Sequence, residues 1–220
     1  MFDALTAEMR RRGDPARAAH DAVYMKSTWR HWGVTAPNMD AAIKAATAGA
    51  APADLLALAT RLWAEPVWDC RIVAGRILSA PRVPAGDDLW RWIVARLPEM
   101  DGWAVEDNLM KAAWKCLRAD PRRLDTVETW LGHDSFWVRR AAFVYTLPWS
   151  RPGEDPDRML AWAARLASDR EWFVQKAIGW WLRGLGRHDP ARVEAFLAAH
   201  GAALKPVAVR EAVKYLPARR

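Results

Sequence analysis

An aromatic residue recurs along this chain at Trp68, Trp103, Trp137 and Phe173, at spacings of 35 (103−68), 34 (137−103) and 36 (173−137) residues. That period is the length of a helical hairpin, and it constrains the fold more than any other feature, because a lone hairpin cannot bury its apolar face and must stack on the next. Three positions after the aromatic stand Arg71, Glu106, Arg140 and Lys176, and four positions after stand Ile72, Asp107, Ala141 and Ala177. Three repeats offer a cation where one offers acids, and Asp107 occupies a position that is apolar in the sister segments. A basic row interrupted by a carboxylate beside an indole points to a surface that grips a polyanion and acts at one spot.

The punctuation is helical throughout. Asp14-Pro15, Asp120-Pro121, Asp155-Pro156 and Asp189-Pro190 each pair a residue that caps free amides with one that suits a first helical turn. Between them apolar residues recur at three- and four-residue spacing, as in Leu55, Leu58 and Leu62 or Met159, Trp162 and Leu166, and no segment alternates with period two. The pattern predicts thirteen helices, at 3–11, 15–31, 38–48, 53–64, 67–79, 87–96, 102–118, 122–131, 135–147, 156–167, 171–186, 190–199 and 206–216. Short connections make neighbours antiparallel. The expected fold is all-α, a right-handed superhelix of stacked hairpins with a concave basic face, and residues 1–220 are expected to form a single domain.

Lysine and arginine exceed aspartate and glutamate by 33−26 = 7, which favours a polyanionic partner. No apolar run approaches the roughly 20 residues of a membrane span, so no membrane partner is expected. The opening stretch, Met1 to Gly13, is amphipathic, ends in Arg10, Arg11 and Arg12, and lacks an apolar signal core; a cytoplasmic or nucleoid location is expected. Cys70 and Cys116 are expected to be small core residues in a reducing compartment. The five histidines show neither metal spacing nor a nucleophile partner, and no glycine-rich phosphate loop occurs. Metallo-hydrolase, serine or cysteine hydrolase and nucleoside-triphosphatase chemistry are thereby excluded, and neither metal nor cofactor is expected.

Two helices carry the candidate chemistry. On the first, Trp103, Asp107, Lys111 and Trp114 share one stripe, though acids in the opening turns also suit the helix dipole without any further role. On the second, Lys176, Trp180 and Arg183 share a stripe: cations for phosphates, and an indole face for a sugar or base. The alternative there is a solvated basic face with the tryptophan turned to the core. Of Arg139 and Arg140, one should point inward and the other to solvent. Trp63, Trp130 and Trp162, on predicted first helices, are expected in the core.

Several segments resemble the AlkD family of HEAT-like repeat DNA alkylation repair glycosylases. The closest to the family pattern is Phe173-Val174-Gln175-Lys176-Ala177-Ile178-Gly179-Trp180-Trp181-Leu182-Arg183. Tyr24-Met25-Lys26, Gly33-Val34 with Pro37, Trp137 to Ala142, and Arg210-Glu211-Ala212 with Lys214 and Leu216 follow in consistent order. The resemblance implies a HEAT-like solenoid. It places the catalytic aspartate on Asp107, sugar-contacting indoles on Trp103 and Trp180, and a phosphate-contacting arginine on Arg140. Tyr24, Lys26, Arg71, Arg139, Lys176 and Arg183 fall where a basic cleft would meet DNA. Where the family typically has Trp-Trp-Asp-x-Val-Asp, this chain has Gly102-Trp103-Ala104-Val105-Glu106-Asp107.

The implied activity is hydrolysis of the N-glycosidic bond of cationic alkylated purines such as 3-methyladenine and 7-methylguanine in duplex DNA. Such a base leaves without a general acid, so one carboxylate that stabilises an oxocarbenium-like sugar suffices. A protein wrapping one duplex works as a monomer. Two alternatives stay open: a non-catalytic repeat protein binding damaged or branched DNA, and a protein scaffold, which would call for an apolar or acidic groove.

Overall fold

A computed structural model describes residues 1–217 of the chain. Among them run thirteen α-helices: α1 Phe2–Arg11, α2 Pro15–Met25, α3 Ala36–Ala46, α4 Pro52–Ala64, α5 Trp68–Leu78, α6 Asp87–Arg96, α7 Trp103–Ala119, α8 Leu124–Thr129, α9 Phe136–Val144, α10 Asp157–Arg165, α11 Trp172–Leu185, α12 Pro190–His200 and α13 Pro206–Ala212. The described residues contain no strand, only an isolated parallel bridge between Arg30 and Val67. The period seen in the sequence has a structural meaning: each register aromatic is the first or second residue of the second helix of a hairpin, α5, α7, α9 or α11.

The Asp-Pro pairs cap as their chemistry dictates, with one displacement. Asp14 accepts from the amides of Ala16 and Arg17 at 2.8 and 3.2 Å, and Asp189 accepts from Arg192 at 3.2 Å. Asp120 caps a single 3-10 turn, Pro121–Arg123, that precedes α8. Asp155 stands one residue too early, since α10 starts at Asp157 with Pro156 as its cap, and Asp155 instead receives the Asp157 amide at 2.9 Å.

The predicted helix 15–31 stops at Met25. Lys26 adopts the left-handed conformation, φ 51° and ψ 39°, and closes α2 by donating its amide to Ala22 and Val23. The chain then runs extended because α5 claims it: Trp68 donates its amide to the Arg30 carbonyl at 2.9 Å, and buried Asp69 accepts from the amides of Trp32 and Val34 at 2.7 and 2.9 Å. Segment 122–131 is likewise shorter as an α-helix than expected, with 3-10 turns at both ends of α8.

The chain divides into two compact units. The first comprises Met1–Ala95 and Met100–Ala113, the second Arg96–Glu99 and the residues from Trp114 onward. In the first unit α4 pairs with α5, and α1 packs on α3 and α4. Every residue of α5 except Arg76 is buried. Gly75 lets α7 come close, for a Cβ at this position would lie 3.0 Å from the Asn108 backbone carbon.

In the second unit α11 is the central helix, packed on α9 and α13. Its Trp181 is fully buried and donates Nε1–H to the Thr146 carbonyl at 3.0 Å, which satisfies the indole's one polar group. Gln175, also fully buried, ties two hairpin connections together, donating Nε2–H to the carbonyls of Leu166, Ala167 and Asp169 and accepting the Lys205 amide. Trp63, Trp130 and Trp162 are core residues, at 4%, 5% and 1% exposure. Both cysteines are buried, and desolvation pushes the Cys70 thiol up to about 12.

Candidate active site

In the first unit, α7 opens with half-buried Trp103 and carries Asp107 one turn later, also half-buried. Asp107 lines a cavity of about 390 Å³ with Asp40, Arg76, Ser79, Ala80, Asn108 and Lys111. The α7 backbone is gripped beside it. Ser79 donates Oγ–H to the Asn108 carbonyl at 2.9 Å, and Arg76 forks, giving Nε and Nη2 to Asp40 at 2.9 and 2.5 Å and Nη1 to Asn108 Oδ1 at 3.0 Å. The Asn108 amide nitrogen donates back to the Ala104 carbonyl at 2.8 Å, so its carbonyl oxygen is turned to Arg76. These bonds and the Gly75 contact fix the height and rotation of α7 at the residue next to Asp107.

The cavity is charge-balanced: two carboxylates, Asp40 and Asp107, face two cations, Arg76 and Lys111. Arg76 is largely neutralised by Asp40, and Lys111 is exposed. Glu106 is fully buried, which removes it from the surface of the motif.

Sequence reasoning missed Arg76, Asp40 and Asn108. Their partners lie 36 and 32 residues away, close to one repeat. Offsets of 28 to 36 residues govern other ion pairs: Arg118 with Glu154, Arg139 with Asp169, Arg158 with Glu128, Arg192 with Asp157, and Arg183 with Glu211. Charge complementarity sought at the repeat period would have found Arg76.

The expected basic row is not an open row. Arg71 is 7% exposed, its guanidinium stacked 3.9 Å from the Trp29 ring centroid and 4.9 Å from that of Trp63. Arg140 is 6% exposed, with its guanidinium 6.0 Å from the Trp137 ring. Together with Glu106, three of the four register positions are therefore interior. Register alone does not decide this; burial depends on what packs against each helix, as Trp29 and Trp63 do against Arg71. Lys176 alone of the four is exposed, its Nζ 4.9 Å from the Trp172 ring centroid.

Arg139 does not point to open solvent, contrary to expectation. It donates Nε to Asp169 at 2.7 Å and Nη1 to the carbonyls of His133 and Asp134, fastening α9 to the connections around it. Tyr24 and Lys26 are exposed at the end of α2, Tyr24 stacked on His20 with ring centroids 6.0 Å apart.

In the second unit Trp180 and Arg183 line a cavity of about 540 Å³ with Trp114, Leu147, Ser150, Arg151, Pro152, Gly184, Arg187 and His188. Arg183 donates Nη1 to Glu211 at 2.5 Å. Burial pushes the Glu211 carboxyl up, but the Lys214 hydrogen bond and the charges of Arg183, Lys214 and Lys176 outweigh it and hold the group below its ordinary value. Trp103 and Trp180, the two indoles expected at one sugar, belong to different units. No cluster of His, Cys, Asp and Glu among the described residues could hold a metal ion, and no described helix is long and apolar enough to cross a membrane.

A family model described as DNA alkylation repair enzyme matches residues 5–216. The chain belongs to that family. A DNA repair role is thereby supported. In fold the family member resembles a solved structure described as a predicted DNA alkylation repair enzyme from Enterococcus faecalis, with TM-score 0.78, 24% identity, and 94% of this chain and 98% of that one covered. It also resembles AlkD2 from Streptococcus mutans, with TM-score 0.64, 19% identity, and 83% and 90% covered. At these identities the likeness is one of fold. No curated protein sequence matches significantly.

Proposed function

We propose that the protein hydrolyses the N-glycosidic bond of cationic alkylated purines, 3-methyladenine and 7-methylguanine, in duplex DNA, with Asp107 as the stabilising carboxylate. The observation that carries this reading is the half-buried Asp107 at a cavity wall, on a helix whose neighbouring residue is clamped by Gly75, Ser79 and Arg76. Catalysis by a fixed charge needs such rigidity, because the carboxylate must sit where positive charge develops without first reorganising.

In the proposed reaction the C1′–N bond breaks and its electron pair goes to the purine, neutralising the alkylated ring. The sugar becomes oxocarbenium-like, Asp107 stabilises it, and water adds at C1′ with loss of a proton. Trp103 would cover the sugar from the start of α7. The balanced charge of the cavity would admit a cationic base without repelling it, and the phosphates would be met by cations elsewhere. In this reading Lys176 and Arg183 are phosphate ligands, with Tyr24 and Lys26 contacting the duplex. The protein would act as a monomer on nucleoid DNA.

The second reading, DNA binding without hydrolysis, draws on the altered segment Gly102 to Asp107. One assay separates the two: release of free 7-methylguanine and 3-methyladenine from alkylated duplex by wild type and Asp107→Asn, with DNA affinity measured on both. The expected outcome is release by wild type, reduced about 100- to 1,000-fold in the variant, with binding kept. Salt-sensitive binding with no release from wild type would establish the second reading instead.

A further inference from the structure

Helix α2 holds to the first unit by little of its own surface, since Asp21 is its one buried residue. It is fastened instead by the extended segment 27–32, a strap set between two left-handed residues, Lys26 at φ 51° and Gly33 at φ 73°. One end of the strap lies against the start of α2: Asp14 donates its amide to the Trp32 carbonyl at 3.1 Å, and a Cβ on Gly33 would lie 2.2 Å from the Asp14 carbonyl oxygen. Towards the other end Trp29 stacks on the Arg71 guanidinium and donates its indole N–H to Asp101, two residues (103−101) before Trp103. The strap therefore joins Tyr24 and Lys26 at the end of α2 to the entry of α7.

His31 sits in the middle of it, between the Arg30 carbonyl and the Trp32 amide that α5 holds. Its ring stacks on Trp68, the first residue of α5, with centroids 4.9 Å apart and planes inclined by 23°. Both ring nitrogens are buried, and neither meets a hydrogen-bond partner among the described residues. Three carboxylates approach from three elements, Asp21 on α2, Asp69 on α5 and Asp101 ahead of α7. Each is engaged elsewhere: Asp21 by Arg17 and by exposed His20, both at 3.2 Å, Asp69 by the Trp32 and Val34 amides, and Asp101 by Trp29. Arg10 over the Trp32 ring, Arg71 over the Trp29 ring and the start of α5 all oppose a further positive charge. A neutral imidazole leaves one N–H unsatisfied here, whereas a protonated one would leave two together with a buried charge. Burial accordingly outweighs the three carboxylates and holds His31 below its ordinary 6.5.

We propose that His31 makes this strap acid-sensitive: on taking up a proton it leaves Trp68, the strap parts from α5, and the end of α2 and the entry to α7 lose their anchorage, weakening the grip on DNA. The scarce burial of α2 places such an opening at the low end of local stability. The neutral ring stabilises the closed strap fully above pH 6.5, its unfolded value, and that contribution is lost as pH falls below it. The consequence for DNA rests on the DNA-binding part of the reading above; the opening itself does not.

The test is amide-exchange protection at Trp32, Val34 and Trp68, corrected for intrinsic exchange at each pH, with affinity for a plain duplex measured alongside. Wild type is expected to lose protection about tenfold between about pH 7.5 and about pH 5.5, the factor that one proton per opening gives over a unit below the unfolded value. His31→Phe keeps a ring for Trp68 and has nothing to titrate, so its protection should be equal at both pH values, and His20→Gln should behave as wild type. Protection in wild type that ignores pH, or an equal loss in His31→Phe, overturns the proposal. Should His31→Phe fail to fold, the His31 ring proton resonance of wild type decides: a midpoint well below 6.5 supports the proposal, and one at or above 6.5 overturns it. Duplex affinity at the lower pH should fall severalfold in wild type relative to His31→Phe. Lost protection with unchanged relative affinity overturns the link to DNA, and no binding at either pH overturns the DNA-binding reading while the strap result stands.

Discussion

Two glycines on second helices face a neighbouring helix at different closeness, and Gly→Ala at each measures how tightly the repeats interlock. At Gly179 on α11 a Cβ would lie 2.6 Å from the Ala208 carbonyl oxygen and 2.8 Å from the Ala208 Cα, so α11 and α13 must part by about 0.8 Å to reach the 3.4 Å of ordinary contact. Backbone cannot rotate aside, which puts the overpacking at the upper end of ~1–3 kcal/mol. Alanine returns about 1 kcal/mol of helix propensity, leaving a net loss of ~2 kcal/mol. At Gly75 on α5 the nearest atom is the Asn108 carbon at 3.0 Å, and a shift of about 0.4 Å suffices. There the strain, ~1 kcal/mol, and the propensity gain nearly cancel. Thermal unfolding should show a midpoint lowered by about 4–8 °C for Gly179→Ala and within about 2 °C of wild type for Gly75→Ala. A Gly179→Ala protein as stable as wild type, or a larger loss at Gly75, would refute the argument that interhelical backbone contact limits these positions.

Arg139→Ala and Lys176→Ala should separate structure from DNA contact. The first removes the Asp169 pair and two carbonyl bonds, costs about 2 kcal/mol by urea unfolding, and leaves the salt dependence of DNA binding unchanged; the second is neutral for stability and lowers the slope of log affinity against log salt by about one. Asp69→Asn replaces a two-oxygen acceptor of the Trp32 and Val34 amides with a group that has only one, and should cost about 2 kcal/mol while speeding amide exchange at those two residues. Glu8 is held at about 2 by hydrogen bonds from Arg11 and Arg12, below its ordinary 4.5. A depressed carboxylate stabilises above its unfolded value and loses that contribution as pH falls, so the stability difference between wild type and Glu8→Gln should be constant above pH 4.5 and shrink towards pH 2; a difference that grows on acidification would contradict the sign.

What the sequence determined by itself was local or periodic. Asp14 and Asp189 announce helix starts because a carboxylate and the one or two amides it caps are neighbours in the chain. The aromatic at Trp68, Trp103, Trp137 and Phe173 announces the hairpin repeat because each repeat must bury the same face. Asp107 stood out against the apolar residues of its sisters. Tertiary structure decided the rest, since burial depends on what lies across the gap. Arg71 and Lys176 occupy the same register, yet one is enclosed by Trp29 and Trp63 and the other is exposed. The end of α2 at Met25 follows from the demand of α5 for an extended strand of chain at Arg30, a residue 38 positions from its partner Trp68 (68−30). The clamp of Arg76 on Asp40 and Asn108 is built from three repeats at once. A side chain's type is written in one position, but whether it becomes a surface cation, an interior stack or a clamp is set by helices one repeat away.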